Sequence, residues 1–486
     1  MKLLLQAKAP KADLLFLALY KKESLSQTQK ECLGVDKKTV EDRLSAKDFE
    51  GEEGQSLTLF TDKGSPKRII LLGRGDKEKQ MPQSTEYLGA TMAKLAKTAK
   101  AKSAAILCSN EDLNALSCGF VLGHYEFTRY KKKDPKAVSL EQVSFVSNET
   151  KEAKKILERT MAFMHASNRT RDLINTCAGD LNTEDLAQAA VELGKKYKLK
   201  TTVFDDKKLK KMGCGGLYGM GQGATVGSRM VILEYRHKSK AKVPALALVG
   251  KGIVYDTGGM NFKPSGHIED MKLDMSGAAT VMGTLQALSE LHVPGYFVGV
   301  LCIAENALSE RAIHSGDAVS MYNGKTVEIT NTDAEGRMVL GDGLAYVEKN
   351  YKPKKIINVA TLTGAVTVAL GYTITGVLGN NDAFIQEVLE AGKAVKERQW
   401  PLPLDEDFVK ATKGSFTDLQ NSTDGIRAGT IMGAAFLKNF VDHTPWVHLD
   451  IAGTAWVERP TPTTQYGATS ASLRTLIELA IKNSDA

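Results

Sequence analysis

Residues 245–259 read Ala-Leu-Ala-Leu-Val-Gly-Lys-Gly-Ile-Val-Tyr-Asp-Thr-Gly-Gly, and this stretch indicates the fold of the larger part of the chain. Its first five residues are apolar throughout, which is typical of a strand buried on both faces of a parallel or mixed sheet. The glycine-rich continuation carries Lys251 and Asp256, charges that folding alone does not place beside a buried strand. Because open α/β sheets hold ligands at the carboxyl ends of their strands, we expect a functional site here.

The same alternation continues on both sides of this stretch. Further strands are predicted near residue 203 and at 230–235, 297–302, 355–360 and 447–451. Helices are predicted between them, at 183–197, 276–292, 337–349, 383–398, 429–441 and 470–482. Near-continuous apolar strands separated by helices predict an α/β fold whose central sheet is mixed, mostly parallel and covered by helices.

The first 150 residues predict a second, smaller α/β domain. Its strands are expected at 13–19, 68–72, 104–108 and 143–146, with a helix over 85–101. Because 486 residues exceed what one hydrophobic core usually organises, the length also favours two domains. We predict an N-terminal domain over 1–150 for oligomerisation or partner binding, a connecting helix over 151–170, and a catalytic domain over 171–486.

The composition is that of an ordinary globular protein, with 42% hydrophobic and 25% charged residues. No apolar run reaches the roughly 18 residues that a membrane span needs, and the charged start does not resemble a secretory signal. The six cysteines have no paired spacing, which is typical of free thiols in a reducing compartment. We therefore predict a cytoplasmic location and no membrane partner.

The net charge of +7 is concentrated near the start of the chain. Residues 1–165 contain 29 Lys and Arg against 22 Asp and Glu, whereas the remainder contains 35 of each class. One interpretation is an N-terminal domain that binds nucleic acid. The alternative, which the sequence favours, is a solvated lysine-rich surface.

A second motif, Asn-Thr-Asp-Ala-Glu-Gly-Arg at 331–337, adds two carboxylates to the candidate site. Asp333 and Glu335 are two positions apart, so an extended segment would place both on one face. With Asp256 and Asp274 they make four carboxylates, which cannot share a pocket unless cations neutralise them. We therefore predict a carboxylate-bridged site for two divalent ions, and oxygen ligands suit Mg, Mn or Zn.

Three basic residues accompany these carboxylates. Lys251 can ligate a metal when deprotonated, or it can pair with a carboxylate; a phosphate loop is a weak third interpretation, because the spacing of the Walker motif is missing. Lys263, which Pro264 follows, can remain charged and stabilise a developing oxyanion. Arg337 lies at a predicted helix start, where an anion would be favoured.

The motifs resemble the signature blocks of the leucyl (cytosol) aminopeptidase family. The matching blocks are 249–259, Lys272-Leu-Asp-Met-Ser-Gly-Ala-Ala279 and 331–340. The blocks Ala360-Thr-Leu-Thr-Gly-Ala365 and His448-Leu-Asp-Ile-Ala-Gly-Thr454 extend the similarity from about residue 170 to the end. The first 150 residues resemble the family's variable N-terminal domain only in size and in their strand–helix pattern.

The resemblance implies a role for each residue of the site. One metal, the tighter, would be held by Lys251, Asp256, Asp274 and Glu335. The second, more exchangeable metal would be held by Asp256, Asp333 and Glu335. The resemblance further implies that Lys263 polarises the substrate carbonyl and that Arg337 holds a bicarbonate ion as general base. Residues expected to line the pocket for the first side chain are Met271, Thr361, Leu362, Gly364 and Ala452.

These implications define the expected function. It is a metal-dependent exopeptidase that releases Leu- or Met-like residues from peptides through hydroxide activated by two Mn or Zn ions. Family members assemble as hexamers, so a homohexamer is expected here. The alternatives are a dinuclear metal phosphoesterase, for which few cationic groups lie near the motifs, and a nucleic-acid-binding regulator acting through the basic N-terminal domain.

Overall fold

The computed structural model describes residues 1–61, 66–132, 134–135, 137–423 and 425–485, without the side chain of Val35. The chain forms two compact units, Met1–Met164 with Arg459–Gln465 and His165–Glu458 with Tyr466–Ala486. The sequence predicts a connecting helix over 151–170, and the division between the units falls inside a helix that spans Lys151–Asn175. In the first unit, the Lys94 ammonium donates to the carbonyl of Thr461 at 3.0 Å.

The first unit is built on one twisted sheet. Its strands are β1 (Lys2–Gln6), β2 (Leu14–Leu19), β3 (Ser56–Phe60), β4 (Arg68–Gly73), β5 (Ser103–Leu107) and β6 (Gln142–Val146). Its helices are α1 (Gln27–Leu33), α2 (Lys37–Ser45), α3 (Ser84–Thr98), α4 (Asn110–His124) and α5 (Lys151–Asn175), the last of which continues into the second unit. The strand order is β1-β6-β5-β2-β4-β3, and within this sheet β3 pairs antiparallel while the other pairs are parallel.

The second unit contains the remaining elements. Its strands are β7 (Lys200–Phe204), β8 (Arg229–His237), β9 (Leu246–Asp256), β10 (Gly295–Asn306), β11 (Ala318–Ser320), β12 (Thr326–Glu328), β13 (Ile356–Ala360), β14 (Thr375–Gly379), β15 (Gln399–Pro401), β16 (Leu419–Gln420), β17 (Trp446–Asp450), β18 (Trp456–Val457) and β19 (Gly467–Ala468). Its helices are α6 (Thr183–Tyr197), α7 (Asp206–Met212), α8 (Gly215–Gly221), α9 (Ser276–Glu290), α10 (Glu335–Tyr351), α11 (Ala365–Leu370), α12 (Asp382–Ala394), α13 (Glu406–Lys410), α14 (Gly429–Lys438) and α15 (Leu473–Lys482). A short 3-10 helix covers Met271–Met275.

The central sheet of the second unit has the order β15-β14-β17-β13-β9-β10-β8-β7. Its middle strands β17, β13, β9 and β10 are parallel, and antiparallel strands join on both sides. Alternate residues of β9 enter two different cores, with Leu246 and Leu248 on one face and Ala247 and Val249 on the other. Burial of both faces explains the unbroken apolar run. The predicted α/β architecture with a mixed, mostly parallel sheet is confirmed.

Two details differ from the predicted elements. β9 continues beyond residue 249, so Lys251 lies inside the strand and Asp256 is its last residue. The expectation that Asp333 and Glu335 share a face of an extended segment is wrong, because α10 begins at Glu335. The Asn331 side chain accepts from the amide of Asp333 at 2.8 Å, and the Asn331 carbonyl accepts from Ala334 at 3.2 Å. This turn leads the chain directly into the helix.

Within the described part of the chain, no helix combines the length and apolarity that crossing a membrane requires. The described part of the chain has no disulfide among its six cysteines. Cys214 and Cys302 are buried in the second unit, and burial raises the pKa of both thiols. Neither is therefore a reactive thiolate near neutral pH.

Asp342, in the middle of α10, is a buried carboxylate that joins separate segments. Its two oxygens accept from the amides of Leu217 and Tyr322, each at 2.8 Å, and burial raises its pKa to about 7. Asp342→Asn would turn an NH2 group toward one of these donors. We expect the free energy of unfolding to fall by roughly 1–3 kcal/mol, which would be measured as a lower thermal midpoint. The exposed change Glu390→Gln is the control, with an expected effect below about 0.5 kcal/mol.

Candidate active site

The four central parallel strands end in polar residues at one edge of the sheet. Asp256 ends β9, Asn306 ends β10, and Asp450 ends β17. Thr361 follows β13 directly. Asp256 and Asn306 are register partners, as are Ala360 and Asp450. Carboxyl ends of parallel strands are where α/β proteins hold their ligands, so this edge is the candidate site.

The predicted metal residues come together at this edge. Carboxylate oxygens of Asp256, Asp333 and Glu335 lie within 4.8 Å of one another, although the end of β9 supplies the first and the turn into α10 supplies the other two. Asp274, in the 3-10 helix, is linked to this cluster by an ion pair with Lys251, which also pairs with Glu335. The Lys251 ammonium is 2.8 Å from an oxygen of Asp274 and 2.8 Å from an oxygen of Glu335.

Lys251 is buried inside β9, with its ammonium surrounded by acceptors. Besides the two carboxylates, it donates to the carbonyl of Thr361 at 2.9 Å. Burial lowers the pKa of Lys251, but the charges of Asp274 and Glu335 outweigh burial and hold that pKa above its ordinary value. A side chain at the neighbouring Gly336 would collide with this amine, since a Cβ there would lie 2.7 Å from the Lys251 Nζ. The glycine after Glu335 is therefore needed for Lys251 to reach the cluster.

Lys263 approaches the cluster from the other side. Its Nζ lies 2.8 Å from an oxygen of Asp256 and 2.5 Å from an oxygen of Asp333. Burial lowers its pKa, but the charges of Asp256 and Glu335 outweigh burial and raise it overall. The loop from β9 to Lys263 turns at Gly258 and Gly259, whose φ values are +84° and +62°. Glycine adopts such φ values without steric cost, so the loop can fold back over Asp256.

The cluster carries more buried negative charge than the two lysines neutralise. Burial raises the pKa of Asp274 well above its ordinary value, and burial together with the charge of Asp256 raises that of Glu335. Burial likewise raises the pKa of Asp333. The second oxygen of Glu335 is buried and has no hydrogen-bond partner among the described residues. Four carboxylates with an unpartnered oxygen fit the hard oxygen donors that divalent cations require.

Sequence reasoning missed the polar residues that orient the carboxylates. Asn306 donates to Asp256 at 2.8 Å and to the carbonyl of Thr332 at 3.1 Å. The amide of Gly258 donates to the same oxygen of Asp256 at 2.9 Å. The register of β9 and β10 shifts between Ala304 and Asn306, and this bulge marks the site only once the two strands are paired. In the sequence alone, an asparagine at the end of a strand has too many possible roles to be recognised as part of the site.

Arg337 lies in the first turn of α10. Its guanidinium donates to the carbonyl of Asn421 at 2.8 Å, while its buried Nε has no partner in the part of the chain that the structure describes. Burial lowers its pKa to about 10, so the guanidinium keeps its charge at neutral pH. A charged, incompletely partnered guanidinium beside a helix N-terminus can hold a small anion.

The residues predicted to line a side-chain pocket lie in three segments. Met271 starts the 3-10 helix that carries Asp274 and packs against one core of the unit. Leu362 packs against the other core, and its amide and that of Ala452 both donate to Asp450 at 3.2 Å. The space next to Gly364 is open, since a Cβ there would meet no atom of the described residues within 4 Å. The Thr361 hydroxyl donates to Asp274 at 2.7 Å, so this residue also supports the cluster.

Comparisons with known proteins agree over nearly the whole chain. A model of the catalytic domain of the cytosol aminopeptidase family matches residues 168–477, and a model of its N-terminal domain matches residues 16–134. A probable cytosol aminopeptidase of Protochlamydia amoebophila is 36% identical over 483 residues, which cover 97% of this chain and 96% of that protein.

Solved structures are also similar to this chain. A tomato leucine aminopeptidase mutant matches with a TM-score of 0.87 and 30% identity, covering 99% of this chain and 96% of its own. The bottromycin maturation enzyme BotP in complex with Mn matches with a TM-score of 0.85 and 28% identity, covering 97% of this chain and 99% of its own. These matches do not favour a phosphoesterase. The chain belongs to the cytosol aminopeptidase family and is a metal-dependent exopeptidase that releases residues from the amino termini of peptides.

Proposed function

We propose that this enzyme holds two divalent cations in the acidic cluster. Lys251, Asp256, Asp274 and Glu335 would hold one, and Asp256, Asp333 and Glu335 would hold the other. The observation that carries the proposal is the convergence of Asp256, Asp333 and Glu335 within 4.8 Å, with a buried oxygen on Glu335 that no described residue contacts by a hydrogen bond. Lys251 would have to lose its proton to act as a ligand, so binding should release protons.

The metals are proposed to be Mn or Zn. Carboxylate ligands suit Mn, and a lysine nitrogen in the set is also acceptable to Zn. The Mn complex of the similar enzyme BotP supports Mn. When bound, the two cations supply Lewis acidity toward the substrate carbonyl and lower the pKa of water at the site.

The chain's own charged residues would complete the reaction site. Lys263 keeps its charge beside the cluster, so it can stabilise the oxyanion that develops on the scissile carbonyl. Arg337 is proposed to hold a bicarbonate ion, which when bound would supply a base. Its positive charge and its unpartnered Nε support that assignment, and the nearby His448 is buried with a pKa lowered to about 3, so it is a poor proton acceptor.

The pocket for the first side chain is proposed to favour Leu or Met. Its walls would come from Met271, Thr361, Leu362, Gly364 and Ala452. The apolar surface of Met271 and Leu362, together with the open space at Gly364, supports an unbranched or γ-branched apolar side chain.

The enzyme is proposed to act in the cytoplasm as a homohexamer. Support for a subunit interface comes from large apolar side chains exposed near α11 and on β15, which is an edge strand of the central sheet. Val368 is 89% exposed, Tyr372 70% and Trp400 60%. Single exposed apolar side chains are ordinary on a monomer, whereas large ones grouped on one surface are typical of a region that another subunit covers.

A nucleic-acid role has less support than the solvated lysine-rich surface that the sequence favours. In the first unit, Lys30 pairs with Glu41 at 3.1 Å and Lys67 pairs with Asp13 at 2.7 Å. Lys21 and Lys97 also pair with neighbouring carboxylates. Lysines already paired with acids release fewer counterions on binding a phosphate backbone.

The activity is best tested with leucine p-nitroanilide. We expect protein stripped by a chelator to be inactive and to regain turnover when Mn or Zn is added. N-acetyl-leucine p-nitroanilide is the matched control, because a blocked amino group should prevent hydrolysis by an exopeptidase. Equal cleavage of both anilides, or metal-restored hydrolysis of p-nitrophenyl phosphate in their place, would contradict the proposal.

A further inference from the structure

Asp450 is a buried carboxylate whose partners are all donors. It accepts from the Leu362 amide and the Ala452 amide, each at 3.2 Å, and from the Thr363 hydroxyl at 2.6 Å. The side chain is fully buried and lies close enough to Arg337 for its charge to raise the pKa of that guanidinium, although burial lowers it overall. The Thr363 backbone amide also acts on it as a donor. An acceptor-only group is what these converging donors require, and among neutral side chains of this size none offers two acceptor oxygens.

The strand register explains how one carboxylate reaches both segments. Asp450 ends β17 beside Ala360, the last residue of the parallel strand β13. Each strand then continues into a loop, and Asp450 lies between the two loops. One oxygen bonds to both loops through the amides of Leu362 and Ala452, and the other bonds to Thr363.

These two loops supply most of the proposed pocket. Residues 361–364 and Ala452 belong to them, and the Thr363 hydroxyl also contacts the hydroxyl of Thr430 at 3.0 Å. The first loop is tied at its other end to the acidic cluster, because Thr361 bonds to Asp274 and Lys251. The distance between the pocket walls therefore depends on the Asp450 carboxylate.

We propose that Asp450 is a positioning residue that sets the side-chain preference of the enzyme by fixing the two loops of the pocket. The proposal rests on the pocket assigned under the proposed function and deepens it. Asp450 touches none of the proposed metal ligands, so it should act on substrate choice and not on metal binding. Burial raises the pKa of Asp450 to about 6, which shows that the site disfavours the charged carboxylate. Folding alone would therefore not favour a carboxylate at this position.

Asp450→Asn tests this proposal with almost no change in volume. The amide offers one acceptor oxygen in place of two. If that oxygen stays with the amides of Leu362 and Ala452, the NH2 group faces Thr363, whose hydroxyl loses the bond that it donates and has to turn and accept. A well-formed apolar pocket discriminates by about tenfold or more for each methylene group. We expect the ratio of kcat/KM for leucine over alanine p-nitroanilide to fall about tenfold, mainly through a higher KM for the leucine substrate. The Mn concentration for half-maximal activity should not change.

Asp342→Asn is the matched control for this variant. It makes the same change at another fully buried carboxylate that accepts backbone amides, but in the middle of α10. It should lower the thermal midpoint while leaving the leucine-to-alanine ratio within about twofold of wild type. A purely structural role for Asp450 would make the two variants behave alike.

A second variant covers the case in which Asp450→Asn does not fold. Thr363→Val removes one donor and keeps the shape, so we expect a smaller fall of the same ratio. An unchanged ratio in the folded Asp450 variant, or in Thr363→Val when the former does not fold, would overturn the proposal. Wild-type protein that cleaves neither anilide would instead overturn the proposed function, and the two failures are therefore distinguishable.

Discussion

Replacing Glu335 by alanine should reduce turnover of leucine p-nitroanilide by at least about a thousandfold, since each 1.36 kcal/mol of lost transition-state stabilisation is tenfold and metal sites supply several kcal/mol. Glu335 is the first residue of α10, is buried, and lies close to both Asp256 and Asp333. It belongs to both proposed metal sites, so its loss should empty both. The kcat of the variant in the presence of added Mn and its metal content per subunit are the measurements.

The stability of the Glu335 variant separates lost metal binding from lost folding. Two lysines face four carboxylates in the cluster, so removing one carboxylate relieves repulsion and offsets part of the lost ion pair to Lys251. The thermal midpoint without metal should therefore stay near that of wild type. Wild type should gain stability on adding Mn, by about 2.7 kcal/mol when Mn is at 100 times its Kd, and the variant should gain none.

Asp333→Ala is the matched comparison, because Asp333 belongs to only one proposed site. It is 35% exposed and contacts Lys263, whereas Glu335 contacts Lys251. We expect this variant to retain one metal per subunit and part of the stabilisation by Mn, but to lose turnover. A Glu335 variant that keeps wild-type stabilisation by Mn would show that the cations bind elsewhere.

The sequence predicted the elements whose local signals agree with their burial. Helix α6 has the predicted bounds 183–197 because Asn182 caps the amides of Glu184 and Asp185 and an amphipathic run follows. The buried strands β10, β13 and β17 were apparent from apolar runs that need no partner to be recognised. The acidic site was predictable for the opposite reason, since charges beside such runs conflict with burial.

The features that escaped prediction depend on contacts between distant segments. The second half of β9 is rich in glycine, which locally disfavours a strand. The close approach of helix α9 requires a glycine there, because a Cβ on Gly250 would lie 2.7 Å from the backbone of Ala278. β1 and β3 are short edge strands that exist through their pairing with β6 and β4. The roles of Asn306 and Asp450 follow from strand register, which a single sequence does not contain.

Replacing Lys263 by alanine should lower kcat by about 10²- to 10³-fold, which is the usual cost of removing one group that stabilises an oxyanion. The KM should change by less than about threefold, because the charge is needed where negative charge develops and not where the ground-state peptide binds. Lys263 is suited to this role, since ion pairs to Asp256 and Asp333 hold its ammonium beside the cluster. Lys263→Met keeps the length of the side chain without its charge and should lose as much kcat as the alanine variant.

Metal affinity distinguishes this role from an indirect one. Removing a positive charge 2.8 Å from Asp256 makes the cluster more negative, so divalent cations should bind at least as tightly as in wild type. A role in which Lys263 merely arranges the carboxylates would instead lower the metal content together with kcat. Lys263→Arg restores the charge on a bulkier, planar group and should recover only part of the lost rate. Wild-type kcat in the methionine variant, or a rate that returns fully when excess Mn is added, would exclude the oxyanion role, because neither result is compatible with a charge that acts on the substrate itself.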